Sequence, residues 1–247
     1  MSPAPPFLMI SLDEIVARLP SVHGGLTTWG VSAEMARFLD RHLRPGAVTL
    51  ETGAGFSTIV ILRHRVTRHI SITPYGDEFE AIRTCCAAVG IDARPLEAIV
   101  VRSQDYLRSA TLPPLDLVLI DGAHAFPIPF LDWYYTAAAL KPGGLMLVDD
   151  LQLATGAILA DFMRADERWE EVERDYRFAA YRKLVHPLED ERDWLGQAYL
   201  VRSNPLAAVR LVRLGPARRL FRLAWSACTD PARSLGLLRQ HFRRRSS

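Results

Sequence analysis

Three aspartates follow two apolar runs of the sequence, and their side chains could carry the chemistry of this protein. Asp121 comes directly after Leu115–Ile120, and Asp149 and Asp150 come directly after Leu145–Val148. If the two runs are neighbouring parallel strands, the three carboxylates meet at one edge of the sheet and repel each other unless a cation or a bound proton compensates. Oxygen-rich sites of this kind suit Mg²⁺, Ca²⁺ or Mn²⁺.

A histidine lies beside these acids. His124 is three residues beyond Asp121, and because imidazole titrates near neutral pH it is a candidate general base. Two plainer interpretations stay open at this point. His124 is then an ordinary loop residue, and an aspartate after the second run only caps the following helix.

A glycine turn follows an earlier apolar run. Residues 50–58 read LETGAGFST, so Gly53 and Gly55 stand between a strand-like and a helix-like stretch. Glycines there allow a tight turn and a close approach of the backbone to a ligand, and the start of the next helix offers N–H groups to an anion. A dinucleotide fingerprint expects a third small residue where the sequence has Thr58, which argues against an NAD-linked oxidoreductase. A purely structural turn is the alternative.

The elements that position these residues alternate along the chain. Helical periodicity is present at 11–19 and 31–43, and apolar strands then alternate with amphipathic helices. The predicted strands are Ala47–Glu51, His69–Thr73, Ala98–Val101, Leu115–Ile120, Leu145–Val148, Trp169–Leu184 and Ala198–Arg202. We therefore predict an α/β fold with a doubly wound, mostly parallel seven-stranded sheet, in which the last two strands form an antiparallel pair at one edge.

Charge divides the chain into parts. Residues 205–247 carry ten arginines and one acid, a net charge of +9, and since the total is +2 the remainder carries −7. We predict a helical N-terminal cap (1–45), an α/β domain (46–204) and a basic amphipathic helical extension (205–247). Such an extension packs on its own acidic domain, joins a homo-oligomer or contacts an anionic membrane surface. No motif that reads bases accompanies it, so no nucleic-acid partner is expected.

Composition is that of a soluble globular protein, with 49% hydrophobic and 23% charged residues. The three cysteines form no disulfide framework or metal spacing, and neither a signal peptide nor a membrane-spanning run is evident. We expect a cytoplasmic protein, with peripheral contact at the inner face of the membrane through 205–247 as the alternative.

Three motifs in order resemble those of the class I S-adenosylmethionine-dependent methyltransferases. They are LETGAGFST (50–58), LVLIDGAH (117–124) and LKPGGLMLVDD (140–150), and the resemblance covers about residues 28–202. It implies a Rossmann-like methyltransferase domain at 46–204, S-adenosylmethionine as cofactor, and attack of an acceptor oxygen, or less readily a nitrogen, on the sulfonium methyl. The sequence does not name the acceptor.

The resemblance also implies a set of cofactor-binding residues. Glu51 would hold the ammonium group, and the turn would lie against the amino acid and ribose. Thr73 stands where the family usually has the acid that binds the ribose, so Asp77 or Glu78 takes that role or is only a first-turn acid. The implied cofactor set is Glu51, Thr52, Gly53, Ala54, Gly55, Ser57, Thr58, Thr73, Asp77, Ser103, Gln104 and Asp121; Ser57 is equally a helix cap.

The positions of these aspartates resemble those in metal-dependent O-methyltransferases, which have an acid after the fourth strand and an Asp-Asp or Asp-Asn pair after the fifth. By this resemblance Asp121, Asp149 and Asp150 would hold Mg²⁺ or another divalent cation that lowers the pKa of the acceptor hydroxyl, and Asp121 and His124 would be the catalytic residues. Phe126 is a candidate for the acceptor pocket, whereas Trp133 fits the core. Because Thr73 replaces the ribose acid, a non-catalytic relative that binds a partner or an anionic membrane through its tail is the alternative function.

Overall fold

The computed structural model of the protein describes Ser11, residues 32–185 and Tyr199. The chain divides into two compact units, Met1–Asp190 and Glu191–Ser247, and every element below belongs to the first. Apart from Ser11 and Tyr199, the predicted helix at 11–19, the predicted strand at 198–202 and the basic extension lie outside the described residues. The division into three parts therefore stays a prediction.

Helices and strands alternate through residues 32–185. The helices are α1 (Ala33–His42), α2 (Phe56–Arg63), α3 (Gly76–Val89), α4 (Ser103–Leu107), α5 (Ile128–Ala137) and α6 (Ala154–Ala165). The strands are β1 (Val48–Thr52), β2 (Arg68–Thr73), β3 (Leu96–Val100), β4 (Leu115–Ile120), β5 (Leu140–Val148), β6 (Trp169–Arg174) and β7 (Ala179–Lys183). Within this part of the chain, α4 is the helix that the sequence pattern had not predicted.

Local sequence features set several of these boundaries. The Ser32 side chain accepts a hydrogen bond from Met35 N at 3.1 Å and begins α1. Gly90 takes the left-handed conformation, with φ of 73°, at the end of α3. In β5 residues 141–144, Lys-Pro-Gly-Gly, form an irregular stretch inside the strand, because Leu140 and Leu145 both pair with β4.

The strands form one seven-stranded sheet in the order β3-β2-β1-β4-β5-β7-β6. The first five are parallel, and β7 is antiparallel to both β5 and β6. The predicted sheet and its antiparallel edge pair are confirmed. From β1 the sheet is built outwards in one direction to β3 and then, starting from β4, in the other direction to β5. The point between β1 and β4 where the order reverses is the crevice where ligands bind in open α/β sheets.

The edge pair does not come from the predicted segments. Both of its strands lie within 169–184, which the sequence pattern had suggested was one strand, and Tyr199 is helical. The reversal is made by Asp175, whose carboxylate accepts hydrogen bonds from the backbone N–H groups of Arg177 (2.6 Å) and Phe178 (2.7 Å). An aspartate turn of this kind needs neither glycine nor proline.

Each face of the sheet carries its own core. On one face, side chains of α1, α2 and α3 such as Phe38, Ile61 and Phe79 pack against the strands. On the other, α4, α5 and α6 contribute residues such as Leu107 and Leu159. This arrangement confirms the doubly wound fold and leaves the carboxyl ends of the parallel strands open. Among the described residues, no helix has the length and apolar character that crossing a membrane requires.

Candidate active site

A cavity of about 820 Å³ opens at the carboxyl ends of β1, β2, β4 and β5. This volume is typical of cavities that hold a cofactor or a small ligand. The cavity is lined by Gly53, Ala54, Ile72, Thr73, Pro74, Tyr75, Glu78, Arg102, Ser103, Gln104, Asp121, Gly122, Ala123, His124, Ile128, Asp149, Asp150, Gln152, Leu153 and Arg177. The structure therefore brings the glycine turn and the acidic cluster to one space.

The turn after β1 passes directly against the loop after β4. Gly53 has φ of 91°, and its N–H donates to Ile72 O at 2.8 Å. A Cβ added to Gly53 would overlap the carbonyl oxygen of Asp121. Both the backbone conformation and the close approach therefore require glycine here, and they fix how Gly53 and Ala54 line the cavity.

Glu51 supports this turn from beneath and is not among the lining residues. Its side chain is fully buried, and Oε1 lies 2.8 Å from Ser71 Oγ and 3.1 Å from His69 Nε2 and also accepts from the Thr58 hydroxyl. Oε2 is buried without a hydrogen-bond partner among the described residues. Thr58 Oγ1 also accepts from Gly55 N at 3.0 Å.

Within the predicted motif at 50–58, five cofactor residues thus lie outside the cavity wall, namely Glu51, Thr52, Gly55, Ser57 and Thr58. The last two point into the core from the first turn of α2, where both are buried. The Thr58 hydroxyl shapes the turn through its hydrogen bonds with Gly55 N and Glu51. A direct contact with the cofactor stays a prediction for all five. The sequence pattern did not single out His69 or Ser71, since only pairing of β2 with β1 brings them to Glu51.

At the end of β2 the structure separates two acids that the sequence left as alternatives. Thr73 lines the cavity and its hydroxyl donates to Glu78 Oε2 at 2.8 Å. Glu78 lines the cavity as well, whereas Asp77 is exposed on α3 and does not. Neighbouring helical residues point about 100° apart, so only one of the pair can face the cavity. Ser103 and Gln104, at the start of α4, line the cavity, and their contact with the cofactor stays a prediction.

The acids that follow β4 and β5 lie close together, as predicted, but a histidine joins two of them and the third lies apart from that group. Ile120 pairs with Val148 in the sheet, which places Asp121 and Asp149 side by side. Ligand atoms of Asp121, His124 and Asp150 lie within 4.8 Å of one another. Asp149 is not in this group, and its Oδ1 is buried without a partner among the described residues. Two members of the predicted metal set, Asp121 and Asp150, lie in this group with His124, and a metal bound by any of the predicted residues stays a prediction.

Asp150 is the centre of a polar network. Its Oδ2 lies 2.9 Å from His124 Nε2, and its Oδ1 accepts from Gln152 Nε2 at 2.5 Å and from Arg177 Nη2 at 3.4 Å. The residue has φ of 55°, a left-handed conformation that aspartate tolerates better than most residues. The hydrogen bond from His124 lowers the pKa of Asp150.

The pKa values of the other two carboxyls, Asp121 and Asp149, are raised. Burial raises the pKa of Asp149 to about 6. Burial, followed by the charges of Asp149, Asp150 and Glu51, raises the pKa of Asp121 well above its ordinary value. The three carboxyls thus differ in how readily they ionise, and Asp150 is the one whose ionised form its neighbours favour.

Arg177 supplies a positive charge that the sequence analysis missed. It lies in the β6–β7 turn held by Asp175, and its backbone oxygen accepts from Leu151 N at 2.8 Å. Its guanidinium lines the cavity and contributes to lowering the pKa of Asp150. The sequence pattern predicts a single strand over Trp169–Leu184, so the turn at 175–178 that carries Arg177 is not recognisable from the local sequence.

The aromatic residues after β4 divide as follows. Phe126 is 76% exposed, contacts Phe130 edge-on and does not line the cavity, so it is not placed in the predicted acceptor pocket. Trp133 packs edge-on against Phe162, with ring centroids 5.0 Å apart, in the core as predicted.

Asp132, on α5, is an unexpected acid next to this region. Its carboxyl is fully buried, and neither oxygen has a well-directed hydrogen bond among the described residues. Burial raises the pKa of Asp132 to about 6, and the nearby hydroxyls of Ser103 and Thr52 partly oppose that shift. The sequence pattern had placed this residue in a helix without assigning it any role.

The Gly53 turn gives a first prediction. Gly53→Ala should lower the free energy of unfolding by about 2–5 kcal/mol, which combines left-handed strain with overlap against the Asp121 carbonyl. Gly143→Ala is the matched control, because Gly143 has φ of 82° and no atom within 4 Å of an added Cβ. It should lose only about 1–2 kcal/mol. Urea unfolding of both variants measures the difference, and equal losses would contradict the close approach.

Asp132 gives a prediction about pH. An acid whose pKa is higher in the folded state binds more protons there, so the stability of the fold declines as pH rises from the ordinary value of 3.8 to about 6. Asp132→Asn removes this decline. The variant should gain up to about 3 kcal/mol relative to the parent between pH 4 and pH 8. Urea unfolding at several pH values tests this, and parallel curves for variant and parent would show the prediction to be wrong.

Comparison with known proteins agrees with this geometry. The profile of a family described as a methyltransferase domain matches residues 50–151. No protein of curated function matches the sequence.

Solved structures share the fold. The O-methyltransferase TomG from Streptomyces achromogenes, in complex with SAM, is 20% identical with a TM-score of 0.56, over 72% of this chain and 93% of that chain. Cofactor-bound Rv0187 from MTB is 20% identical with a TM-score of 0.52, over 68% and 84%. The Bacillus cereus O-methyltransferase, in complex with SAH, is 16% identical with a TM-score of 0.51, over 69% and 90%. Residues 50–151 therefore resemble a methyltransferase domain, and the described fold is the one that these solved methyltransferases share.

Proposed function

We propose that the protein transfers the methyl group of S-adenosylmethionine to an oxygen atom of an acceptor, with His124 as general base. The observation that supports this proposal is the single cavity that joins the Gly53 turn to the His124–Asp150 pair. Bound S-adenosylmethionine supplies an electrophilic methyl group on its sulfonium. The chain's own task is to align that methyl with an acceptor oxygen and to take up the proton.

The cofactor side of the cavity has suitable binding groups. The Glu78 carboxylate, oriented by the Thr73 hydroxyl at 2.8 Å, would accept hydrogen bonds from the ribose hydroxyls. It would thereby replace the acid that the family usually has at the end of the second strand. Ser103 and Gln104 would lie against the adenine, and the backbone of Gly53 and Ala54 against the amino acid part.

The acceptor side has a base with an orienting partner. Asp150 holds His124 through Nε2 at 2.9 Å, which leaves Nδ1 as the atom that would accept the proton of the acceptor hydroxyl. The Asp150 carboxylate would then stabilise the imidazolium that forms, because opposite charges attract strongly in a cavity of low dielectric constant. A histidine held in this way is typical of general bases.

A divalent cation is the second version of the same function. Two carboxylates and an imidazole, from Asp121, Asp150 and His124, are a donor set that fits a divalent metal. A bound metal would lower the pKa of the acceptor hydroxyl, and His124 would then be a ligand and not a base. Arg177 favours the first version, since its guanidinium already places a positive charge 3.4 Å from Asp150.

The remaining sequence-based predictions concern the rest of the chain. A cytoplasmic location, a homo-oligomer, membrane contact through 205–247 and the non-catalytic alternative all depend on properties or residues outside the described part. They stay predictions, and the acceptor is not identified.

Titration calorimetry with S-adenosylmethionine tests the proposed cofactor. The unaltered chain should bind it in a 1:1 ratio and show no comparable binding of NAD⁺. Gly53→Asp should abolish binding, and Glu78→Gln should weaken it about tenfold through a lost charged hydrogen bond. Phe126→Ala, outside the cavity, is the control and should bind normally. Absence of binding by the unaltered chain would overturn the proposal.

A second experiment distinguishes general-base catalysis by His124 from assistance by a divalent metal. Release of S-adenosylhomocysteine is measured with a panel of phenols and aliphatic alcohols before and after treatment with EDTA. With a general base, EDTA has no effect and His124→Gln lowers turnover by about 10²–10⁴ without changing cofactor affinity. With a metal, EDTA abolishes turnover, and calorimetry with Mn²⁺ detects a site that is lost in Asp121→Asn.

A further inference from the structure

Asp132 lies outside the cavity lining but is near the hydroxyls of Ser103, which lines the cavity, and of Thr52, which does not. Thr52 is the last residue of β1 and directly precedes Gly53. Ser103 is the first residue of α4 and lines the cavity. The carboxyl of Asp132 thus lies where β1, α4 and α5 come together, next to the Gly53 turn and the start of α4.

Polar groups in this place are costly to the fold. Asp132 and Thr52 are fully buried and Ser103 is 7% exposed. Neither carboxyl oxygen of Asp132, nor the Thr52 hydroxyl, has a well-directed hydrogen bond among the described residues. A buried polar group without its hydrogen bonds destabilises the folded state. An apolar side chain of similar size would avoid that cost, so the arrangement calls for a role other than stability.

We propose that Asp132 is a positioning residue for cofactor binding, whose carboxyl fixes the Thr52 and Ser103 hydroxyls and through them the Gly53 turn and the start of α4. When the cofactor occupies the cavity, these two walls are held in one arrangement, and the carboxylate accepts one hydrogen bond from each hydroxyl. The inference rests on the proposed function, because it assigns Asp132 to the S-adenosylmethionine side of the cavity.

The substitution Asp132→Asn separates this role from a purely structural one. Asparagine keeps the size of the side chain but has one acceptor oxygen in place of two, so one hydroxyl loses its partner. The variant should be more stable than the parent above pH 6 and yet bind S-adenosylmethionine more weakly. A side chain that only stabilised the fold would not produce these two opposite effects.

The experiment is calorimetric titration of the full chain with S-adenosylmethionine at pH 8. The unaltered chain is compared with Asp132→Asn, Ser103→Ala and the double variant, and thermal melting confirms folding. Asp132→Asn should raise the Kd about tenfold, the effect of one hydrogen bond. The double variant should bind no more weakly than the weaker single variant, because the two residues act as a unit.

Thr136→Ala is the matched control. Thr136 is buried one turn further along α5, and its hydroxyl donates to the backbone oxygen of Asp132 at 2.6 Å without involving the carboxyl. Its loss should lower the melting temperature and leave the Kd unchanged. If Asp132→Asn does not fold, Thr52→Val and Ser103→Ala remove the two hydroxyls one at a time and should each raise the Kd.

The outcomes are distinct. Binding by the parent with an unchanged Kd in Asp132→Asn, or in both hydroxyl variants, would overturn the positioning role and leave the proposed function intact. Additive losses in the double variant would overturn the connection between Asp132 and Ser103. Absence of binding by the parent itself would overturn the proposed function and this inference with it.

Discussion

The backbone contact between the β1 turn and the loop after β4 determines the rest of the site. Gly53 lies so close to the carbonyl of Asp121 that no side chain fits between them, and the Asp121 N–H in turn donates to Thr52 O at 3.1 Å. This contact spans the point where the order of strands reverses, so it closes the floor of the crevice. The Gly53 turn and the acids after β4 and β5 consequently face one another across a single cavity.

On the acidic side of that cavity three carboxyls lie close together, and several groups reduce the repulsion between them. Burial disfavours the ionised forms of Asp121 and Asp149 and so raises the pKa of both carboxyls. His124 and Arg177 contact Asp150, which keeps its charge. The three carboxyls are therefore not equivalent, since the pKa of Asp150, beside the His124 imidazole, is lowered while the pKa values of Asp121 and Asp149 are raised. A divalent cation would have to compete with the guanidinium for the same charge.

Sequence reasoning found what local patterns encode. The seven-stranded sheet, the glycine turn, His124 and the three aspartates all follow from apolar runs and from the residues at their ends. It did not find the features that depend on contacts of individual side chains, namely the turn at 175–178 and the acid that faces the cavity from α3. Residues 175–178, with neither glycine nor proline, form a turn through the Asp175 side chain, and reading them as strand concealed Arg177. The choice between Asp77 and Glu78 depended on a rotation of about 100° about α3, which the sequence does not fix to one residue.

The two buried acids near the turn complete this account. Side chains alternate between the faces of a strand, so Glu51 and Thr52 point to opposite sides of the sheet. Glu51 meets His69, Ser71 and Thr58 on one side, and Thr52 meets Asp132 of α5 on the other. Each carboxyl retains at least one buried oxygen without a well-directed partner among the described residues. The end of β1 therefore lies between two incompletely satisfied carboxyls, which a fold under stability constraints alone would lack. Both carboxyls lie near the end of β1 that leads into Gly53, which is the position expected of groups that hold the turn.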